Sequence, residues 1–125
     1  MTTENDAVGQ GEFRYEPLPG WDQLPADWSY GEVVGAATDS SGNLYAFNRG
    51  AHPVIVYSAE GTCQGSWGEG QFQRPHGIWV TSDDQLWLSD DHGHVVHRYT
   101  TDGRRLQTLG TEGVPSDTGV VDMDY

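Results

Sequence analysis

The chain has 125 residues, with six Lys and Arg against nineteen Asp and Glu and a formal charge of −13. That balance repels nucleic acid and anionic membrane surfaces, so neither is an expected partner, while a bound cation or cationic ligand is favoured by the field. A single cysteine, Cys63, excludes an internal disulfide, and no stretch approaches the roughly 18 apolar residues of a spanning helix.

The N-terminal stretch MTTENDAVGQGEFRYEP lacks the basic region and apolar core of a secretory signal, so the expected product is soluble and cytoplasmic. Residues 1–30 are polar and rich in Gly, Pro and Trp, with no sustained helical or strand period. They read as a leader whose PLPGWDQLP segment packs against the domain that follows, residues 31–125.

From residue 33 the chain repeats itself. Displaced by 42 residues, VVGAATDSSGNLYAFNRGAHPVIVYSAEGTCQGSWG (33–68) aligns without a gap on PHGIWVTSDDQLWLSDDHGHVVHRYTTDGRRLQTLG (75–110). Gly35 meets Gly77, Ser40 meets Ser82, Leu44 meets Leu86, His52 meets His94, Val54 meets Val96, Tyr57 meets Tyr99, Gly61 meets Gly103 and Gly68 meets Gly110. The turns SSGN and SDDQ, and AEG and TDG, coincide as well. Each unit predicts four strands in order: VVGAAT or GIWVT, LYAFN or LWLSD, PVIVYS or VVHRY, and the weaker TCQGSW or RRLQTL. Nothing between them has the length or period of a helix.

A four-stranded repeat of about 40 to 45 residues is the sequence signature of a β-propeller blade. One blade cannot bury both of its faces, so blades stack around a centre, typically about four to eight of them. The expected fold is therefore an all-β propeller, incomplete in this chain. Blade 1 falls at 33–68, blade 2 at 75–110, and residues 111–125 lead toward a third unit. Such a chain is a fragment, a truncated product, or one completed by association through its exposed blade edges.

Within this scaffold His76, in RPHGIWV, begins an inner strand of the kind that lines a propeller channel. Its ring either reaches the axis as a ligand or serves the turn by bonding a neighbouring carbonyl. Val34 stands at the matched place in the first unit, so the scaffold does not require histidine there. Arg49, in FNRG, follows a strand and precedes Gly50 near the channel mouth, where its planar fork suits a carboxylate; a solvent-facing ion pair is the competing role. His52 and His94 recur at one repeat position, which points to hydrogen bonds that order a loop. His92, His94 and His97 form HGHVVH, but His94 and His97 would face opposite sides of a strand. Asp83, Asp84, Asp90 and Asp91 read as turn acids bonding their own backbone. Trp67, Trp79, Trp87, Tyr57 and Tyr99 read as aromatic packing between blades.

The blade pattern, with PHGI opening an inner strand and SDDHGHVVHRYTTDGRRLQTLG closing the unit, resembles the NHL repeat. More narrowly, GAATDSSGNLYAFNRGAHPVIVY, SWGEGQFQRPHGI, LSDDHGHVVHRY and TLGTEGVPSDTG resemble part of the peptidyl-α-hydroxyglycine α-amidating lyase family, over roughly residues 15–119. The resemblance implies a six-bladed propeller with a central zinc held by three histidines and a calcium nearby. Its members cleave a C-terminal α-hydroxyglycine to a peptide amide and glyoxylate. It assigns the first zinc histidine to His76, the arginine facing the substrate's carboxylate and hydroxyl to Arg49, and backbone carbonyls for calcium to Ala36 and Ile78. The partner implied is a peptide or small α-hydroxy acid substrate. The two other zinc histidines, the catalytic tyrosine and the calcium carboxylate belong to later blades of the family, so this chain alone is expected to be inactive. A non-catalytic NHL propeller that binds a protein or small ligand is the alternative reading.

Overall fold

A computed structural model describes residues 7–117, and among them every regular element is a β-strand. Two short strands come first, β1 (Val8–Gln10) and β2 (Phe13–Tyr15). Blade 1 follows as β3 (Val33–Thr38), β4 (Leu44–Asn48), β5 (Val54–Tyr57) and β6 (Cys63–Trp67). Blade 2 is β7 (Pro75–Val80), β8 (Leu86–Asp90), β9 (Val95–Tyr99) and β10 (Arg105–Leu109). Each blade is an antiparallel sheet laid down in chain order, so β3 and β7 are the inner edges and β6 and β10 the outer ones. This is the incomplete propeller expected from the repeat.

The turns explain why the strands end where they do. Asp39 accepts the N–H groups of Ser41 (2.9 Å) and Asn43 (3.0 Å), while Thr81, at the matched position, accepts that of Gln85 (3.0 Å). On the outer hairpins Ser58 accepts Thr62 N–H (3.2 Å) and Thr100 accepts Arg104 N–H (3.0 Å). A short side-chain oxygen that satisfies backbone donors stabilises a tight turn over a longer strand.

The period of two along each strand sends alternate side chains to opposite faces. Tyr45, Phe47 and Val54 leave blade 1 on one face and meet Leu86, Leu88 and Tyr99 of blade 2 in a fully buried cluster, with Phe72 and Trp67 against it. The inner strands come close as well: a Cβ on Gly35 would stand 2.8 Å from Ile78 Cγ2, so glycine is what lets β3 and β7 approach.

The rear face of blade 1 is not left open. Ala46, Ile55 and Tyr57 are buried beneath Trp21 and Leu24 of the PLPGWDQLP segment and beneath two further aromatics, Trp28 and Tyr30. Gln23 N–H bonds Gly61 O (2.9 Å), and Gln23 pairs with Thr62 in a parallel bridge. The leader thus imitates a preceding blade. Trp21 lies 5.9 Å from the Tyr57 ring as Trp67 lies 5.1 Å from that of Tyr99. Gly61 and Gly103 sit under these two tryptophans with φ of 86° and 89°. A Cβ would stand 1.9 Å from Trp21 O at the first and 2.7 Å from the Trp67 ring at the second.

Two expectations need correction. The leader carries a hairpin, β1 with β2, whose six strand residues are all exposed; packing did not select its pattern, so no apolar period marked it. Trp79 does not pack between blades among the described residues: it is 69% exposed on the forward face of blade 2, with Leu109 at 48%. The end of the expected leader at residues 1–6 and of the final segment at 118–125 lies outside the described residues.

Candidate functional site

Antiparallel strands in chain order place the start of β3, the end of β4, the start of β7 and the end of β8 at one end of the blades. Glu32, Arg49, Arg74, His76 and Asp91 therefore collect there from positions far apart in sequence. Arg49 Nε–H bonds Pro75 O (3.0 Å), the carbonyl just before His76, and one terminal N–H of Arg49 bonds Glu32 (2.7 Å). Arg74 grips Asp91 with two bonds, Nε to Oδ1 at 2.7 Å and Nη2 to Oδ2 at 2.6 Å. His76 Nδ1 stands 3.9 Å from Asp91 Oδ2, with its side chain 63% exposed. Bonds from Arg74 hold the Asp91 carboxyl below the usual range, with the charges of His76 and Arg49 acting the same way.

Asp90 fixes this cluster from below. It is fully buried and accepts Gln73 N–H (2.6 Å), Arg74 N–H (3.0 Å) and Gly93 N–H (2.8 Å). The loop that delivers His76 is thereby bolted to the loop after β8. Asn48, at the matched position, does the same in blade 1: its amide nitrogen donates to His52 O (2.7 Å) and its oxygen accepts Gly50 N–H (2.8 Å), shaping the loop of Arg49.

The carbonyls of Ala36 and Ile78 can be placed from register. Asp39 N–H bonds Asn43 O and Thr81 N–H bonds Gln85 O, so these are the hydrogen-bonded pairs that close each inner hairpin. Counting back in twos makes Ala36 with Ala46, and Ile78 with Leu88, non-hydrogen-bonded pairs. Their backbone groups point away from their own sheets, toward the unpaired side of each inner strand. That orientation is what a carbonyl ligand requires.

The remaining histidines have structural surroundings. His52 stacks on Trp28 at 3.8 Å and approaches Ser66 Oγ (3.2 Å) and Glu69 Oε1 (3.4 Å), the loop-ordering role expected for it. His94 lies in the turn before β9 with φ of 59°, rather than on the strand. His97 is fully buried where blade 1 has Ile55; its Nδ1 bonds Thr108 Oγ1 (2.8 Å) and its Nε2 has no partner. Among the described residues no three His, Cys, Asp or Glu side chains converge as a metal site. Among the described residues His76 therefore has no second and third histidine, cysteine or carboxylate grouped with it in metal-binding geometry.

Glu32, Arg74 and Asp90 were not legible as parts of the site. The signal was present at the repeat offset, where Glu32 matches Arg74 and Arg49 matches Asp91.

Stacked four-stranded blades that gather arginine, histidine and carboxylate side chains at one end define an incomplete β-propeller with a polar end. No family model matches the sequence. NHL repeat-containing protein 3 of Homo sapiens is 30% identical over 104 residues, 75% of this chain and 29% of that protein. Peptidyl-alpha-hydroxyglycine alpha-amidating lyase 1 of Drosophila melanogaster is 38% identical over 60 residues, 46% of this chain and 11% of the lyase. A probable lyase of the same kind from Caenorhabditis elegans is 22% identical over 111 residues, 70% of this chain and 32% of that protein. The chain is a relative of NHL-repeat proteins and α-amidating lyases, and it spans about a third or less of their length. Among the described residues no helix is long and apolar enough to cross a membrane.

Proposed function

We propose that this chain is part of a zinc-dependent propeller lyase of the α-amidating kind, acting on a peptidyl-α-hydroxyglycine or a small α-hydroxy acid. The observation that carries the reading is the convergence of Arg49 on the loop of His76 through the bond to Pro75 O. Arg49 would orient the substrate carboxylate, because a guanidinium offers parallel donors to two oxygens. His76 would supply one zinc ligand from an exposed ring on an inner strand, with the remaining ligands contributed from outside the described residues. The carbonyls of Ala36 and Ile78, on the unpaired side of the inner strands, suit a hard cation such as calcium. The leader to residue 30 is assigned to capping and residues 31–125 to the propeller.

The test is made on the propeller completed with its later blades. For His76→Ala, zinc content and glyoxylate release both fall by more than about tenfold; full zinc stoichiometry in that variant removes His76 from the metal site. Arg49→Gln raises KM for the hydroxyglycine substrate, and an unchanged KM removes Arg49 from substrate binding.

The second reading is a non-catalytic NHL propeller that binds a protein or small ligand. It is favoured by the match to NHL repeat-containing protein 3, which covers more of this chain than the Drosophila lyase does. A completed propeller that holds no zinc and releases no glyoxylate selects it. Self-association through the forward face of blade 2, where Trp79 and Leu109 are exposed, is proposed for the chain as it stands. A concentration-independent monomer in sedimentation velocity overturns that. The cytoplasmic placement is likewise a proposal, and recovery of the chain from the medium rather than the cell lysate overturns it.

A further inference from the structure

The two guanidiniums at the channel mouth are held in opposite senses. Displacement by 42 residues carries Glu32 onto Arg74 and Arg49 onto Asp91, so each blade has an ion pair at the same two positions with its charges exchanged. In blade 2 the pair is closed: Asp91 takes both Nε and Nη2 of Arg74 in a fork-to-fork geometry. In blade 1 it is open. Arg49 gives Nε to the Pro75 carbonyl and one Nη1 bond to Glu32, whose side chain is 71% exposed against 31% for Arg49. An anion arriving from solvent therefore meets two unequal receptors. Displacing Asp91 means breaking two short charge-assisted bonds, whereas displacing Glu32 means breaking one and releasing a side chain already in water.

We propose that Glu32 is a built-in competitor at Arg49, occupying the fork until a ligand carboxylate displaces it. This rests on the reading of Arg49 as the carboxylate receptor. Glu32 then sets the affinity of the site without touching the ligand. The Pro75 bond keeps the guanidinium in place during the exchange, because Nε stays committed to blade 2 while the Nη1 donor changes partner. The charge exchange between blades also confines the ligand to blade 1, since the matched position in blade 2 is itself a carboxylate.

The chain as it stands tests this with glycolate, the simplest α-hydroxy carboxylate, followed by the Arg49 guanidinium ¹³Cζ resonance in ¹³C-labelled protein at low salt. In wild type that resonance shifts and saturates. Glu32→Gln tightens binding about two- to five-fold, the size expected for removing one exposed ion pair. Glu69→Gln, which removes an exposed acid from the same end of the blades, leaves the affinity unchanged. Equal affinity in wild type and Glu32→Gln overturns the competitor role while leaving Arg49 as the receptor. Equal tightening in Glu69→Gln also overturns it, because net charge alone then accounts for the effect. No shift at Arg49 in either wild type or Glu32→Gln overturns the receptor reading and the inference with it. Glu32→Ala serves as the second variant if Glu32→Gln loses amide dispersion.

Discussion

Blade 1 and blade 2 lay the same four strands in the same register although most matched residues differ, and a few of those differences exchange one chemistry for another. Val34 faces His76, Ile55 faces His97, Asn48 faces Asp90, and Glu32 with Arg49 faces Arg74 with Asp91. The positions that hold the scaffold are shared. Leu44 and Leu86, Tyr57 and Tyr99, and Gly61 and Gly103 keep both identity and environment. The candidate residues Arg49 and His76 both fall where the two units differ in chemical character, a signal that neither unit carries alone.

The largest expected effect concerns Asp90, whose buried carboxylate satisfies three backbone N–H groups. Asp90→Ala should cost about 3 kcal/mol, because each orphaned buried donor carries a desolvation penalty. Asp90→Asn should cost less than half as much, since Asn48 manages the matched loop. Urea unfolding midpoints check both, and equal losses in the two variants would break the equivalence of positions 48 and 90.

Next comes the leader. Trp21→Ala should destabilise the chain by about 2 kcal/mol, less than a fully buried tryptophan because its side chain is only partly covered. Trp67→Ala should cost a similar amount if the two tryptophans do equivalent work. A negligible loss for Trp21→Ala would show that the leader decorates blade 1 without stabilising it.

His97→Ile imports the blade 1 residue and should stabilise by about 1 kcal/mol at pH 7, by removing a buried nitrogen without a partner. Burial, and then the charge of Arg105, depress the pKa of His97, so the folded chain binds its proton less readily than the unfolded one. Its contribution is complete above the unfolded value of about 6.5 and is lost as pH falls through the depressed folded value. Thermal melts of wild type should fall across that window, and those of His97→Ile should fall less. An identical pH dependence in the two would move the effect to another group.

The smallest effect tests the exchanged pairs. The double variant Glu32→Arg with Arg49→Asp gives blade 1 the polarity of blade 2 and should change stability by less than about 1 kcal/mol, as exposed ion pairs contribute little. It should nevertheless abolish glycolate binding, read by isothermal titration calorimetry because the Arg49 resonance is lost with the residue. For Asp91, whose folded pKa is depressed by Arg74, the pair contributes above about pH 3.9 and is lost as pH falls through the folded value. Arg74→Met should remove that acid sensitivity, at a cost of a few tenths of a kcal/mol near neutrality.

The blades were legible in the sequence because a period of two and turn residues at fixed offsets are local signals that occur twice. The hairpin from Val8 to Tyr15 carried no such signal, since none of its strand residues is buried and its strands are three residues each. Arg49 and His76 stood out from their places at strand boundaries. Glu32 did not, because a charge exchanged for its opposite at a repeat position scores as a mismatch. Asp90 was read as a local turn acid, and its bond to Gly93 fits that reading. Its bonds to Gln73 and Arg74 reach back to the other side of the β7–β8 hairpin, where no local rule could place them.

The leader's seat on blade 1 has a consequence for the order of events at the ribosome. Trp21, Leu24, Trp28 and Tyr30 precede the sheet they cover, so blade 1 has both a roof and its four strands once Trp67 has emerged. Blade 2 then finds one finished surface waiting, the face of Tyr45, Phe47 and Val54. The two faces of blade 1 are thus covered from opposite directions along the chain, one by residues that precede it and the other by the blade that follows.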